Sequence, residues 1–271
     1  MSTALTFIIP VRHQDNAKDW SRLKSNLRQT LASISAQTGP DWRAIVVANE
    51  GADLPAMPDQ CEVVRVTFPP NQLHDFDRGS AEKEAALDAF RLDKGRRVLS
   101  GMLHARDSHF FMIVDDDDFV SKDLALFVSN NRNSQGWVLR QGYIWGDGGD
   151  LLYVQNDFSN FCGTSLIVRA DQYELPEEFE DASLDYIKRY LGSHIQPQKI
   201  FLAKGSPLKP LPFRGAIYRV GHPGAHSRQP SLLKLYILNR ATLLRPFTLL
   251  RNLVSFRYLT PRIKRDFFGA T

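Results

Sequence analysis

Short apolar runs alternate with longer segments of helical periodicity over the first half of the chain. Residues 5–12 (LTFIIPVR), 43–49 (RAIVVAN) and 61–68 (CEVVRVTF) are rich in apolar and β-branched residues, which favours β-strands. From Ala17 to Gln37 apolar residues recur at steps of three and four, which predicts an amphipathic helix ended by TGP at residues 38–40. Strands that alternate with helices predict an α/β fold with a mostly parallel sheet and helices on both faces.

The following periodic stretch predicts two helices, at about residues 80–91 and 95–106, that lead into a fourth apolar run. This run, residues 110–114, is apolar at every position, as is typical of a strand buried on both faces. The second half differs, because GWVLRQGYIW and DLLYVQN flank the turn GDGGD at residues 146–150, which predicts an antiparallel hairpin. An acidic helix is predicted at about residues 177–191.

Four consecutive aspartates, Asp115 to Asp118, directly follow the fourth apolar run. Neighbouring carboxylates at the end of a buried strand are unfavourable unless something positive is bound. Ligands of open α/β sheets gather at the carboxyl ends of the strands, and carboxylate oxygens suit Mg²⁺ or Mn²⁺, which in turn bridge phosphates. The pattern therefore indicates a metal-diphosphate site; the alternative is a solvated loop or a helix cap, as for most acidic runs.

The composition is that of an ordinary soluble globular protein, with 43% hydrophobic and 24% charged residues among 271, enough for one large domain or two small ones. Two cysteines, Cys61 and Cys162, cannot form a disulfide framework, which favours a reducing compartment. The N-terminal segment MSTALTFIIPVR has no basic leader, and no run of about 18 apolar residues occurs, so we expect neither a signal peptide nor a membrane span. These features favour a cytoplasmic location.

Five segments follow one another in order over residues 5–227: FIIPVR, LASISAQTGPDWRAIVVANEG, DKGRRVLSGMLHARDSHFFMIVDDDD, FCGTSLIVRADQY with its later FED, and YRVGHPGAHS. Together they resemble the family-2-like glycosyltransferases, which have the GT-A fold. The resemblance implies a Rossmann-like, mostly parallel sheet with a small antiparallel hairpin on the acceptor side. Residues 1–118 would be the nucleotide-sugar-binding half of a single domain, residues 119–231 the acceptor-binding and catalytic half, and residues 232–271 a basic tail.

The resemblance further implies metal-dependent transfer of a sugar from a nucleoside-diphosphate sugar to a glycan or lipid-linked acceptor, with inversion. Mn²⁺ or Mg²⁺ would stabilise the leaving diphosphate, and a carboxylate would take the proton of the acceptor hydroxyl. A UDP-sugar is the favoured donor, but residues 48–51, ANEG, replace the Asp-Asp-Gly of the family and leave the base open. No nucleic-acid partner is expected.

For the metal, the resemblance implies the outer members of the Asp-x-Asp motif, Asp115 and Asp117, with Asp117 the more direct ligand. His222, or else His226, stands at the late histidine position of the family and would be a third ligand. Asp118 is expected to cap the following turn instead. The alternative for each histidine is a surface or hydrogen-bonded residue.

For the catalytic base, the resemblance implies Asp181 of the Glu-Asp pair, with Asp185 one helical turn further on as second choice. Without the resemblance, these acids would be interpreted as a solvated first helical turn. Lys94 and Arg97 could approach the diphosphate, although ordinary solvation is the favoured interpretation for both. The residues implied in nucleotide-sugar binding are Pro10, Arg12, Asn49, Glu50, Asp115 and Asp116.

The tail, residues 232–271, is basic and apolar, with helix-like spacing interrupted by Pro246 and Pro261. Its single acid, Asp266, stands against eight cations, Lys234, Arg240, Arg245, Arg251, Arg257, Arg262, Lys264 and Arg265. Basic amphipathic helices can lie in a membrane interface, so an anionic membrane surface at the inner face of the membrane is a further expected partner. The alternative is that the tail packs back on the catalytic domain.

Two other functions fit parts of the pattern. Haloacid-dehalogenase-like phosphatases also follow an apolar strand with Asp-x-Asp, usually on the first strand of the sheet, whereas here it follows about the fourth. An inactive GT-A fold that serves as a membrane-surface binding module is the non-enzyme alternative. Joint dependence on a nucleotide sugar and Mn²⁺ would separate the transferase from both.

Overall fold

The computed structural model describes residues 2–73, 83–221, 232–238, 242 and 244–269. Its strands are β1 (Leu5–Pro10), β2 (Trp42–Asn49), β3 (Cys61–Val66), β4 (Phe110–Ile113), β5 (Phe119–Val120), β6 (Gly136–Val138), β7 (Gly142–Gly146), β8 (Leu151–Gln155), β9 (Leu166–Arg169), β10 (Lys209–Pro210), β11 (Ala216–Val220) and β12 (Phe256–Tyr258). Its helices are α1 (Trp20–Ser35), α2 (Lys83–His104), α3 (Leu124–Ser129), α4 (Gln196–Ala203), α5 (Leu232–Tyr236), α6 (Pro246–Val254) and α7 (Pro261–Phe267).

The central sheet has seven strands in the order β10-β6-β9-β4-β1-β2-β3. Strands β4, β1, β2 and β3 are parallel to one another, and β9 lies antiparallel between β4 and β6. This arrangement confirms the predicted α/β class with a mostly parallel central sheet.

Helices cover both faces of the central sheet, which is why β1 is apolar at nearly every position. Leu5, Phe7 and Ile9 face the core that contains the apolar residues of α1, whereas Ile8 faces the core that contains Val98, Leu99 and Met102 of α2. Gly101 brings α2 close to the sheet, because a Cβ there would lie 2.9 Å from a methyl carbon of Val47. Side chains on the two faces of this one buried strand thus pack against both helices and hold them in place.

A second sheet has the order β12-β8-β7-β11-β5 and contains the predicted hairpin, since β7 and β8 pair antiparallel across the 146–150 turn. The stretch GWVLRQGYIW is not one strand, however. Its first residues form β6 in the central sheet, and the chain then crosses to β7 in the second sheet. Gly142 permits this crossing, because a Cβ there would lie 2.4 Å from the ring of Phe158.

Two helix predictions were wrong in their bounds. The helices expected at 80–91 and 95–106 are one helix, α2, and Gly95 does not interrupt it; this glycine lets Ile187 approach, whose carbonyl oxygen would lie 2.3 Å from a Cβ. The acidic helix expected at 177–191 is instead a 3₁₀ turn (Phe179–Asp181), a single helical turn (Leu184–Tyr186) and a π-helical turn (Ile187–Leu191). Ser183 begins the second of these by accepting a hydrogen bond from the backbone N–H of Tyr186, so the side chains cap short turns rather than support one helix.

In the described part of the chain, no helix is long and apolar enough to cross a bilayer.

Candidate active site at the carboxyl edge of the sheet

The chain changes direction across the sheet between β1 and β4. It runs outward from β1 to β2 and β3, and α2 then returns it to the other side of β1, where β4 begins. Because α1 and α2 lie on opposite faces, they leave a crevice beyond the carboxyl ends of β1 and β4. In open α/β sheets this topological switch point is where ligands bind. Residues 115–118 follow β4 directly into this place.

The four aspartates form a reverse turn in which the Asp118 N–H donates to the Asp115 carbonyl at 3.1 Å. The turn makes them inequivalent, since Asp116 and Asp118 are buried while Asp115 and Asp117 are half-buried. The outer members of the Asp-x-Asp motif are therefore the ones whose side chains are more accessible to a ligand.

Asp118 fixes the turn to the rest of the site. Its carboxylate is fully buried and accepts hydrogen bonds from Thr164 Oγ1 at 2.6 Å, Cys162 Sγ at 3.2 Å and the Arg219 N–H at 3.2 Å. Burial raises the pKa of Asp118 well above its usual range, and the neighbouring carboxylates of Asp117 and Asp115 raise it further. The expectation that Asp118 caps the next turn was wrong, because its oxygens bond to the 162–164 segment and to β11.

Asp115 is paired with Lys94, which extends from α2, and its N–H donates to Thr164 Oγ1 at 2.9 Å. Burial lowers the pKa of Lys94, but the Asp115 carboxylate outweighs burial and holds the pKa above its usual range. Gly163 makes the arrangement possible, since a Cβ at this position would lie 2.5 Å from Asp115 Oδ2 and 2.9 Å from Lys94 Nζ. The favoured interpretation of Lys94 as an ordinary solvated lysine was wrong, because its side chain is mostly enclosed.

On the opposite side, a buried arginine, Arg219 of β11, places a positive charge near Asp117 and Asp118. Its guanidinium donates to Asp147 Oδ1 at 2.9 Å, Asn26 Oδ1 at 3.0 Å and Gln29 Oε1 at 2.9 Å. Burial lowers the pKa of Arg219 to about 10, against the opposing effect of Asp117. Lys94 and Arg219 thus provide two cations beside the aspartate turn.

The carboxyl ends of β1 and β2 carry the residues predicted to bind the nucleotide sugar. Pro10 ends β1 opposite Val47, and Arg12 follows it in a half-buried position. Asn49 ends β2, and Glu50 lies exposed just beyond. The structure therefore places this predicted set, together with residues 115–117, along one edge of three neighbouring strands.

The side chain of Asn49 is already occupied by protein partners. Its Oδ1 accepts from Arg97 Nη1 at 2.7 Å, and its Nδ2 donates to the Phe68 carbonyl at 2.7 Å. Arg97 is almost completely buried and also pairs with Asp93 through two hydrogen bonds, so its favoured interpretation as a solvated residue was wrong. Asn49 thus holds the wall of the crevice in place.

Asp181 and Asp185 both lie on exposed turns. Asp181 Oδ2 accepts the N–H of Glu178 at 3.2 Å, and Asp185 Oδ2 pairs with Arg189 at 3.3 Å. Between these turns and the sheet, Phe179 stacks on Phe68, with ring centroids 5.5 Å apart. Phe68 is the residue whose carbonyl binds Asn49, so the first acidic turn packs against the edge of the crevice.

His222 and His226, predicted as metal ligands, lie outside the described residues. Among the residues that are described, no group of three or more His, Cys, Asp or Glu side chains has an arrangement that could hold a metal ion. A divalent ion does not need such a group, because Mg²⁺ is commonly bound by one or two carboxylates, with substrate phosphates and waters as the remaining ligands. The half-buried pair Asp115 and Asp117 fits an ion of that kind.

Sequence reasoning missed a small recess beside Lys94 whose lining includes Tyr173, Tyr190 and His194. The Nε2 atom of His194 is buried and has no hydrogen-bond partner among the described residues. Burial and the Lys94 cation hold the pKa of His194 below its usual range. No periodicity or motif pointed to this histidine, and Arg219 was overlooked although it lies within the quoted YRVGHPGAHS segment.

No family model matches the chain, and no curated protein matches it. Among solved structures it is similar to residues 1–349 of S. aureus TarS, with 13% identity, a TM-score of 0.44 and coverage of 79% of this chain and 60% of that one. The same TarS fragment in complex with UDP gives 13% identity, a TM-score of 0.45 and coverage of 80% and 60%. Rv0371C of Mycobacterium tuberculosis H37Rv, in complex with manganese, gives 13% identity, a TM-score of 0.38 and coverage of 80% and 92%. The chain thus spans about three-fifths of the TarS fragment.

Proposed function

We propose that this chain is a glycosyltransferase that moves a sugar from a nucleoside-diphosphate sugar to a hydroxyl of a glycan or lipid-linked acceptor. The observation that carries the proposal is the position of the aspartate turn 115–118, at the switch point of the sheet and between the cations of Lys94 and Arg219. Carboxylates and cations that alternate around a crevice suit a metal ion and a diphosphate together.

Asp115 and Asp117 would hold the divalent ion, Mn²⁺ or Mg²⁺, which stabilises the negative charge of the leaving diphosphate when it is bound. Lys94 and Arg219 supply further positive charge that is fixed by their protein partners before the donor arrives. Buried Asp118 keeps the turn in one conformation through its three hydrogen bonds.

The donor nucleoside would lie over the ends of β1 and β2. Pro10, Arg12 and Glu50 surround this position and Asp116 would contact the ribose, while Asn49 supports the wall through Arg97. A UDP-sugar is the favoured donor. In this proposal the nucleotide half extends to residue 118, the acceptor half covers residues 119–231, and the protein acts in the cytoplasm.

We propose Asp181 as the catalytic base, with Asp185 as the alternative. The acceptor oxygen attacks the anomeric carbon from the side opposite the diphosphate, and its proton passes to the carboxylate as the new bond forms. The bond between that carbon and the diphosphate oxygen breaks with its electron pair on the diphosphate, so the configuration of the sugar is inverted. The accessibility of both carboxylates supports this role.

The test is thermal unfolding with a panel of nucleotide sugars, each with and without Mn²⁺. A donor at about 100 times its Kd stabilises the folded protein by about 2.7 kcal/mol, which corresponds to a rise of about 5 to 10 °C. Asp117→Ala should lose this rise, whereas Asp59→Ala, an exposed aspartate that precedes the amino end of β3, should keep it.

Three results would reject the proposal. Stabilisation by sugar phosphates without a nucleotide, together with Mg²⁺-dependent phosphate release, would favour the phosphatase. Equal stabilisation of wild type and Asp117→Ala would show that the aspartate turn does not bind the donor. Donor binding without any hydrolysis or transfer would favour an inactive binding module.

A further inference from the structure

Large exposed apolar side chains are concentrated on α6 and at Leu244, two residues before it. Five side chains form this apolar patch, and they are between 50% and 88% exposed: Leu244, Phe247, Leu250, Leu253 and Val254. Phe247, Leu250 and Val254 stand at helical steps of three and four, so they share one face of α6. A contiguous exposed apolar face of this kind marks an interaction site.

The opposite side of α6 is held firmly against the protein. Asn252 is buried, accepts a hydrogen bond from the Tyr153 hydroxyl at 3.0 Å and donates to the Tyr236 carbonyl at 2.8 Å. Tyr153 and Tyr236 stack with their ring centroids 3.6 Å apart. These contacts join α6 to β8 and α5, so the apolar patch is presented outward in a fixed orientation.

The segments that follow α6 are part of the folded domain. Strand β12 pairs antiparallel with β8, and Phe267 of α7 is buried in the core that contains Phe119 and Trp145. Lys122 and Asp266 add an ion pair at 2.8 Å. The predicted alternative, a tail that packs on the domain, therefore fits β12 and α7 but leaves the face of α6 uncovered.

Cations surround the apolar patch. Arg245, Arg251 and Arg257 are exposed, and the one acidic residue described between 232 and 269, Asp266, is engaged by Lys122. A second copy of the patch would bring arginines against arginines, which opposes self-association. An anionic bilayer accepts both features, because the apolar side chains enter the acyl boundary and guanidinium groups pair with lipid phosphates.

We propose that the apolar patch docks the protein on the surface of an anionic phospholipid bilayer, with α6 in the plane of the interface. The binding element is the exposed face of α6, rather than the whole basic tail. Docking needs neither donor nor metal, so it can be measured independently of the proposed transfer reaction.

The test is co-sedimentation of the full chain with vesicles of phosphatidylcholine alone or of an equimolar mixture with phosphatidylglycerol. Deletion of the tail is unsuitable, because it removes β12 and part of the core. Phe247→Ser with Leu250→Ser should weaken binding at least about a hundredfold, from the lost burial of two large apolar side chains. The matched control is Leu184→Ser with Leu202→Ser, two leucines of comparable exposure elsewhere on the surface.

A second pair of double variants tests how much positive charge contributes to vesicle binding. Arg245→Gln with Arg251→Gln should weaken binding to the anionic vesicles about thirtyfold, since each basic residue near such a surface contributes about 1 kcal/mol. Arg28→Gln with Lys199→Gln, which removes exposed cations of α1 and α4, should bind like wild type. The proposal is overturned if wild type fails to bind anionic vesicles at low salt or if the serine variant binds as tightly as wild type. A concentration-dependent dimer that the serine variant loses, without vesicle binding, would instead identify a second copy as the occupant.

Discussion

The ion pair between Arg97 and Asp93 permits a sharp comparison within one helix. Arg97 of α2 is almost completely buried, donates twice to Asp93 and donates once to Asn49 at the end of β2. Two residues before Asp93, another arginine of the same helix, Arg91, pairs with Asp88 at 3.0 Å, but both of these side chains are more than a third exposed. The two pairs have the same chemistry and differ in burial.

We predict that Arg97→Met destabilises the protein by about 3 to 5 kcal/mol, because it leaves the buried carboxylate of Asp93 with less compensation. Arg96, 3.7 Å from Asp93, retains a weaker contact, which favours the lower part of that range. The unfolding midpoint should fall by about 6 to 20 °C for a chain of this size. Arg91→Met should cost about 1 kcal/mol or less, since exposed pairs contribute little.

The assay is thermal unfolding followed by far-UV circular dichroism, with the two variants and wild type in the same buffer. Asp93→Leu combined with Arg97→Met should recover a large part of the loss, because no unpaired buried charge remains. Similar midpoints for Arg97→Met and Arg91→Met would refute the reasoning, as would a double variant that is less stable than Arg97→Met alone.

Two further predictions concern the crevice. Asp181→Asn should reduce sugar transfer at least about a hundredfold while donor-induced thermal stabilisation stays at the wild-type value, as expected for loss of a general base; wild-type turnover in this variant would move the role to Asp185. Burial and the Lys94 cation lower the folded-state pKa of His194. The neutral ring therefore makes its full contribution to the stability of the protein above about pH 6.5, and this contribution is lost as the pH falls through the folded-state pKa. His194→Gln should therefore flatten the decline of the unfolding midpoint below about pH 6.5, whereas His104→Gln, with a half-exposed ring, should retain it; equal slopes for both variants would contradict this.

Local patterns sufficed for the elements that line the crevice. Uninterrupted apolar runs predicted β1, β2 and β4, because a strand buried on both faces must be apolar at consecutive positions. The period of three to four residues predicted α1, and the aspartates after β4 indicated a site at the carboxyl edge before any strand order was known. These features depend on neighbours in the chain, so the sequence by itself determined them.

The roles of the individual aspartates depend on residues far away in the chain. Asp118 accepts a hydrogen bond from Arg219, 101 residues later, and Arg219 in turn binds Asn26, 193 residues earlier. Neither pair has a local periodicity that sequence inspection could detect. Only the packing of β11 and of the 162–164 segment against the aspartate turn decided that Asp118 is buried and that Asp115 and Asp117 remain accessible.

Gly95 and the tail also separate what the sequence determines from what only the tertiary structure decides. A glycine within a helical pattern suggests a break, yet here it serves the close approach of Ile187, which no local rule could reveal. The amphipathic character of residues 246–254 followed from their spacing, but which side of α6 faces solvent was decided by the bonds of Asn252 to Tyr153 and Tyr236. Sequence determines which faces a segment can offer, whereas tertiary structure decides which face is covered, because burial depends on the elements that pack against it.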